Sequence, residues 1–303
     1  MRGLQLAGPG ASRLDQVSGH VELAFIGLLW GSSSLLIRLI DQTPQFITFG
    51  RFAFGAFTVA VWGVASRRQD WGLGHRPWLL VAVATWMAVT TAAFSGAVKF
   101  TSIANAVLIS FTAPVLVPYL GRWILKEPVR GRTVVALLMA LAGIILMIGP
   151  DLSGLDRRSL LGVGLAVVSA GGTAGAAIGV RLVRRHTPTF NTGLYRMLVA
   201  SIVLVPFALV TSPLSIDGRS LALLAILGVV HTGAAMTLYA HAMGQIQAQD
   251  AVVYGYFEPL GSVVLAALFL GEPLRPHVLV GGTLILVASY LVSRLPTAGT
   301  GVP

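Results

Sequence analysis

The chain has 303 residues, of which 55% are hydrophobic and only 11% charged, and its mean hydropathy is +0.81. A soluble domain carries about 25% charged residues, so a surface this poor in charge faces lipid, which makes the chain an integral membrane protein and excludes a soluble enzyme or regulator. The net charge of +10 sits in short clusters between apolar runs (Arg67-Arg68, Lys126 to Arg132, Arg157-Arg158, Arg181 to Arg185) rather than on one nucleic-acid-binding face, and the lack of cysteine excludes disulfides, zinc thiolates and a cysteine nucleophile.

Residues 1–19 are polar and glycine-rich, with no apolar stretch before His20, which predicts a cytoplasmic tail and no cleaved secretory leader. A helical crossing needs about 20 mostly apolar residues. Ten such runs follow, at 20–39, 46–65, 78–98, 103–122, 132–149, 160–180, 192–210, 220–241, 249–269 and 277–293, and residues 294–303 form a second tail. The fold class is therefore an all-α polytopic membrane protein.

In chain order, the first run carries Trp30 and a Gly27–Gly31 step, and the second begins with Arg51 one turn inside. An arginine there either holds an anionic group or snorkels to the interface, and snorkelling is the commoner case. The same alternatives apply to Arg196 in the seventh run. Trp86 lies in the third run. The fourth run holds Asn105, Ser110 and Pro114, and ends at Glu127-Pro128. Gly171, Gly175 and Gly179 in the sixth are spaced for close helix packing. His231, Tyr239 and His241 lie in the eighth, where a histidine could relay protons.

The ninth run, with "YGYFEPLGSVVLAALFLGEP" at 254–273, places a carboxylate and a helix breaker in its interior. Pro259 frees the carbonyl of Gly255, as Pro114 frees that of Ser110, so both prolines are read as hinges. Glu258 would be costly in the membrane unless protonated, paired or hydrated. Asp250, Tyr254, Glu258 and Ser262 recur every four residues and form one polar stripe. The stripe reads either as a substrate-contacting or titrating group or as a structural carboxylate bound to freed backbone or an arginine. Titration at Glu258 would permit proton coupling; no cofactor and no metal site is expected. Glu272-Pro273 closes the run as an ordinary helix end.

Lys and Arg counts in the short loops give thirteen on the side of the termini (Arg2, Arg13, Arg67, Arg68, Arg76, Arg122, Lys126, Arg130, Arg132, Arg181, Arg184, Arg185, Arg294) and six opposite (Arg38, Lys99, Arg157, Arg158, Arg219, Arg275). Both termini are expected in the cytoplasm. A shift of 145 residues superposes 99–128 on 244–273 without a gap. Seven positions are identical, including Pro114/Pro259, Glu127/Glu272 and Pro128/Pro273, and the same shift places Arg51 on Arg196. The chain is thus two five-span halves, 20–149 and 160–293. Five is odd, so the halves are inverted, an arrangement suited to alternating access.

The segments "LLWGSSSLLIRL" (28–39), "KFTSIANAVLISFTAPVLVPYLGRWILKEP" (99–128) and "YFEPLGSVVLAALFLGEPL" (256–274) resemble the repeat of EamA-type transporters in the drug/metabolite transporter superfamily. The resemblance implies a ten-helix plasma-membrane carrier of small metabolites, with export of amino acids or related compounds as the leading case. The glycine-rich "SAGGTAGAAIGVRLV" (169–183) departs from the family, which often has an aromatic there. The partners implied are the lipid bilayer and a small-molecule substrate, not nucleic acid. The alternatives are an importer of a small metabolite or nucleotide-like compound, and a non-transporting membrane scaffold. An enzyme is not expected, since no HExxH and no clustered histidines occur. The substrate or coupling candidates are Glu258, Tyr254, Asp250, Ser262, His231, Trp30, Asn105 and Ser110.

Overall fold

The computed structural model describes residues 13–68, 70–125, 131–148, 150, 156–184, 186–211, 216–242 and 254–293. Asp250, Glu127-Pro128 and most of both tails lie outside the described residues. The helices are α1 (Arg13–Leu39), α2 (Pro44–Ala65), α3 (Pro77–Phe100), α4 (Ile103–Ser110), α5 (Ala113–Leu125), α6 (Gly131–Ile148), α7 (Arg157–Arg184) and α8 (Thr189–Thr211). Then come α9 (Gly218–Gly228), a π-helical turn (Val229–Ala234), α10 (Ala235–Ala242), α11 (Phe257–Leu270) and α12 (Pro276–Ser293).

Local chemistry sets the helix starts. Thr43, Ser102 and Asp217 each accept the backbone N–H three residues on, capping α2, α4 and α9. Asp156 accepts from the Ser159 N–H at 2.8 Å beside the start of α7. Asp156 and Asp217 both lie below the usual carboxylate range, because the Ser159 and Ser220 groups stabilise their ionised forms. Seven helical stretches are long and apolar enough to cross a membrane, and three shorter apolar helices complete the ten spans.

The fourth and ninth spans are discontinuous. The fourth breaks at Phe111-Thr112, between α4 and α5; the ninth breaks at Tyr256, between the helical pair Tyr254-Gly255 and α11. A shift of 145 carries Phe111 onto Tyr256, so the breaks are repeat-equivalent. Pro114 and Pro259 therefore do not bend continuous helices. Each stands in the first turn of a half-helix, where its missing N–H has no partner to lose.

Helix packing follows the repeat. The fifth span packs on the tenth (α6 on α12) and the second on the seventh (α2 on α8), each pair formed by repeat mates. The first packs on the ninth (α1 on α11) and the fourth on the sixth (α4 and α5 on α7), again mates with roles exchanged. The first also meets the eighth, as the sixth meets the third (α7 on α3). Two inverted five-helix halves thus wrap one pseudo-twofold axis. In the close approach of α1 to α11, a Cβ on Gly27 would lie 2.4 Å from the Tyr254 carbonyl and one on Gly31 would lie 3.1 Å from Gly261 Cα.

Both ends of the bundle are tied. At one end Thr187 and Asn191 donate to the carbonyls of Leu73 and Gly72 at 3.0 Å, and Arg68 lies over the Phe190 ring at 4.1 Å. The 66–76 and 186–191 loops are therefore on one side, as inversion requires. At the other end Arg38 pairs with Glu272 at 3.5 Å and donates to the Thr101 carbonyl, while Glu272 accepts the Ile103 N–H at 3.0 and 3.1 Å. Lys99 donates to the carbonyls of Ile40 and Arg38. Glu272 is a cap for α4 and a partner for Arg38 as well as a helix end.

Candidate functional site

A cavity of about 470 Å³ lies on the axis between the halves. Its wall takes Trp30 and Ser33 from α1, Arg51 from α2, Thr90 and Thr91 from α3, Ser110, Phe111, Ala113 and Pro114 from the broken fourth span, Ser169 and Thr173 from α7, His231 and Thr232 from the π turn, and Glu258 from α11.

The π turn builds one wall. Thr232 Oγ1 donates to the Leu227 carbonyl at 2.9 Å and His231 Nδ1 lies 3.3 Å from the Ile226 carbonyl, both five residues back, the spacing of the wider helix. Widening turns His231 and Thr232 towards α1 and α2. The Trp30 indole N–H donates to the His231 carbonyl at 2.9 Å, and Ser32 Oγ lies 2.8 Å from His231 Nε2. Arg51 Nε donates to Thr232 Oγ1 at 3.2 Å. Close approach permits this: a Cβ on Gly228 would lie 2.4 Å from Phe54 Cβ, and one on Gly233 would lie 2.5 Å from Thr58 Cβ.

Glu258 enters from the first turn of α11, where the positive end of the half-helix favours a carboxylate. Among the described residues no hydrogen bond reaches its carboxylate, and it belongs to neither the Arg38–Glu272 nor the Glu22–His241 pair. Arg51, of opposite charge, lines the same cavity and makes no ion pair with Glu258. The first turn of α5, carrying Ala113 and Pro114, points its own N-terminus at the same space.

Of the residues singled out from sequence, Glu258, His231, Trp30, Ser110 and Pro114 line this cavity together. Ser262 does not: it is buried and donates to the Gly31 carbonyl at 2.8 Å, fixing α1 to α11. The Tyr254 hydroxyl lies 3.0 Å from His20 Nδ1, away from the cavity, so the four-residue stripe is divided by the turn at Tyr256. Asn105 sits in α4 outside the lining, with its Oδ1 buried and unpartnered. Pro259 is buried but does not line the wall. His241 pairs with Glu22 at 3.0 Å near a bundle end.

Arg51 faces the cavity rather than snorkelling, whereas its repeat mate Arg196 does not line it. Thr90, Thr91, Thr232, Ser169 and Thr173 also line it and were not among the residues singled out from sequence. Ser169 and Thr173 are four apart on one helix face, a polar spacing that could have marked them.

A ten-span bundle of inverted halves, with broken helices meeting at a central polar cavity, is the architecture of a membrane transporter. The profile of the EamA-like transporter family matches residues 18–149 and again 160–294, and the chain belongs to that family. It is 25% identical to an uncharacterized transporter of Archaeoglobus fulgidus over 91% of this chain and 96% of that protein. It is 27% identical to the uncharacterized transporter YwfM of Bacillus subtilis over 92% and 96%. A solved structure described only as a crystal structure of protein shares the fold, with a TM-score of 0.65 at 19% identity over 93% of this chain and 99% of that one.

Proposed function

We propose that this transporter carries a small zwitterionic metabolite, an amino acid or a close relative, out of the cell by alternating access. The observation that supports the substrate class is the pair Arg51 and Glu258. Opposite charges from two halves face one cavity and do not pair with each other. Isolated charges in a membrane interior cost several kcal/mol. A zwitterion offers a carboxylate to Arg51 and an ammonium to Glu258, and so satisfies both at once. The volume of about 470 Å³ is in the range of small-molecule sites.

In this reading Trp30, His231 and Ser110 contact the bound molecule, and Glu258 exchanges a proton when the site is empty. The repeat-equivalent breaks at Phe111 and Tyr256 support alternating access, because two half-helices with free ends can reorient about the axis. Export and a plasma-membrane location with cytoplasmic termini rest on the family resemblance and on the Lys/Arg bias of the loops.

The test is counterflow in proteoliposomes. Vesicles loaded with unlabelled alanine should accumulate labelled alanine only when they contain the protein. Equal uptake by empty vesicles, across a panel of neutral amino acids, would remove the proposal.

A further inference from the structure

A second cavity of about 730 Å³ lies between α3, α5 and α7. Its wall is aliphatic and aromatic apart from the Tyr119 hydroxyl and Thr90. Thr90, which is buried, lines the central cavity as well, so the two spaces meet at this side chain. The floor is the glycine face of α7. A Cβ on Gly171 would meet nothing within 4 Å, so this face is left open by the neighbouring helices instead of being packed. One step on, a Cβ at Gly172 would lie 2.2 Å from Thr90 Oγ1, so glycine at 172 is what lets Thr90 stand close to α7 where the two spaces meet. The Trp86 indole N–H is satisfied by the Gly172 carbonyl at 2.8 Å, which leaves its ring as apolar wall. The outer rim, at Val89, Val168 and Ile124, is exposed to the lipid face.

We infer that this chamber is the specificity pocket for a large apolar side chain, so that the transporter favours bulky apolar or aromatic zwitterions over small or polar ones. The inference rests on the reading that the central cavity holds the zwitterionic head between Arg51 and Glu258. From there the side chain passes Thr90 into a space that offers no hydrogen-bonding wall beyond Tyr119 and has lipid at its rim. A polar side chain would lose its hydration without replacement; an apolar one loses nothing and fills the space. The glycine-rich sixth span, which packing alone does not explain at Gly171, then has a role in recognition.

The experiment compares phenylalanine and alanine flux in the same proteoliposomes. Wild-type flux of either amino acid tests the zwitterion reading; the ratio in variants tests the chamber. Gly171→Phe fills the floor where no atom obstructs it, and the phenylalanine-to-alanine ratio should fall about tenfold or more. Leu116→Ala enlarges the opposite wall and should raise the ratio, which keeps the test alive if Gly171→Phe fails to fold. A wild type that carries alanine, with the ratio unchanged in the folded variants, would overturn the inference. So would loss of a tightly co-purified phospholipid from Gly171→Phe with no change in ratio, since the occupant would then be an acyl chain.

Discussion

Phe111 and Tyr256, which occupy equivalent positions in the two halves, face each other with ring centroids 6.5 Å apart. Each marks the break of its span, so the two discontinuous helices meet at the pseudo-twofold axis beside the cavity. Breaks at matched positions leave half-helix starts beside the cavity.

The prolines that follow these breaks are expected to keep the half-helices apart. Pro114→Ala and Pro259→Ala each supply an N–H that can rejoin the helix across the break. Because each proline stands in a first turn, stability should change by less than about 1 kcal/mol, while transport falls severalfold. Flux normalised to folded protein checks this. Unchanged flux in both variants would make the prolines packing devices only.

Glu258→Gln keeps the shape of the side chain but removes its charge. Transport should fall about tenfold or more, and what remains should lose its pH dependence; Glu258→Asp should retain part of the activity. Flux across a pH series separates this from a structural role, in which the Gln variant would stay active and only the protein level or melting temperature would drop.

Glu272→Ala removes both the cap on Ile103 and the partner of Arg38. Thermal unfolding in detergent should show a loss of about 1–2 kcal/mol, and Arg38→Gln should lose less, since the cap survives. Equal losses would mean that the ion pair, not the cap, carries the stability.

Reporter fusions after Arg68, Arg132 and Arg185 should report the cytoplasmic side, and those after Asp156 and Asp217 the opposite side. The contact between Asn191 and Gly72 already requires the segments that hold these two residues to share a side. Fusions that place these two on opposite sides would contradict the inverted arrangement.

Much of the fold was legible because the bilayer constrains it. Apolar runs mark spans, and the matched prolines and Glu-Pro pairs expose the repeat. The breaks were not legible, because proline is compatible with a kink or a new helix start, and only tertiary packing decides between them. The π turn at His231 left no mark, since Thr232 and His231 reach carbonyls five residues back only in the packed bundle. Arg51 was readable as a snorkelling arginine because sequence gives depth along a helix but not which face meets the cavity. The same lack of facing information joined Ser262 and Tyr254 to Glu258 in one stripe.

The most direct measurement of the central claim compares transport of alanine, alanine methyl ester and N-acetylalanine by the wild type, Arg51→Gln and Glu258→Gln. The wild type should carry alanine and discriminate against both blocked forms by at least about thirtyfold, the loss expected when one buried charge is left unpaired. Arg51→Gln should lose its preference for alanine over the ester, and Glu258→Gln its preference over the N-acetyl form. A wild type that carries all three compounds equally, or variants that keep both preferences, would contradict a zwitterion held between Arg51 and Glu258.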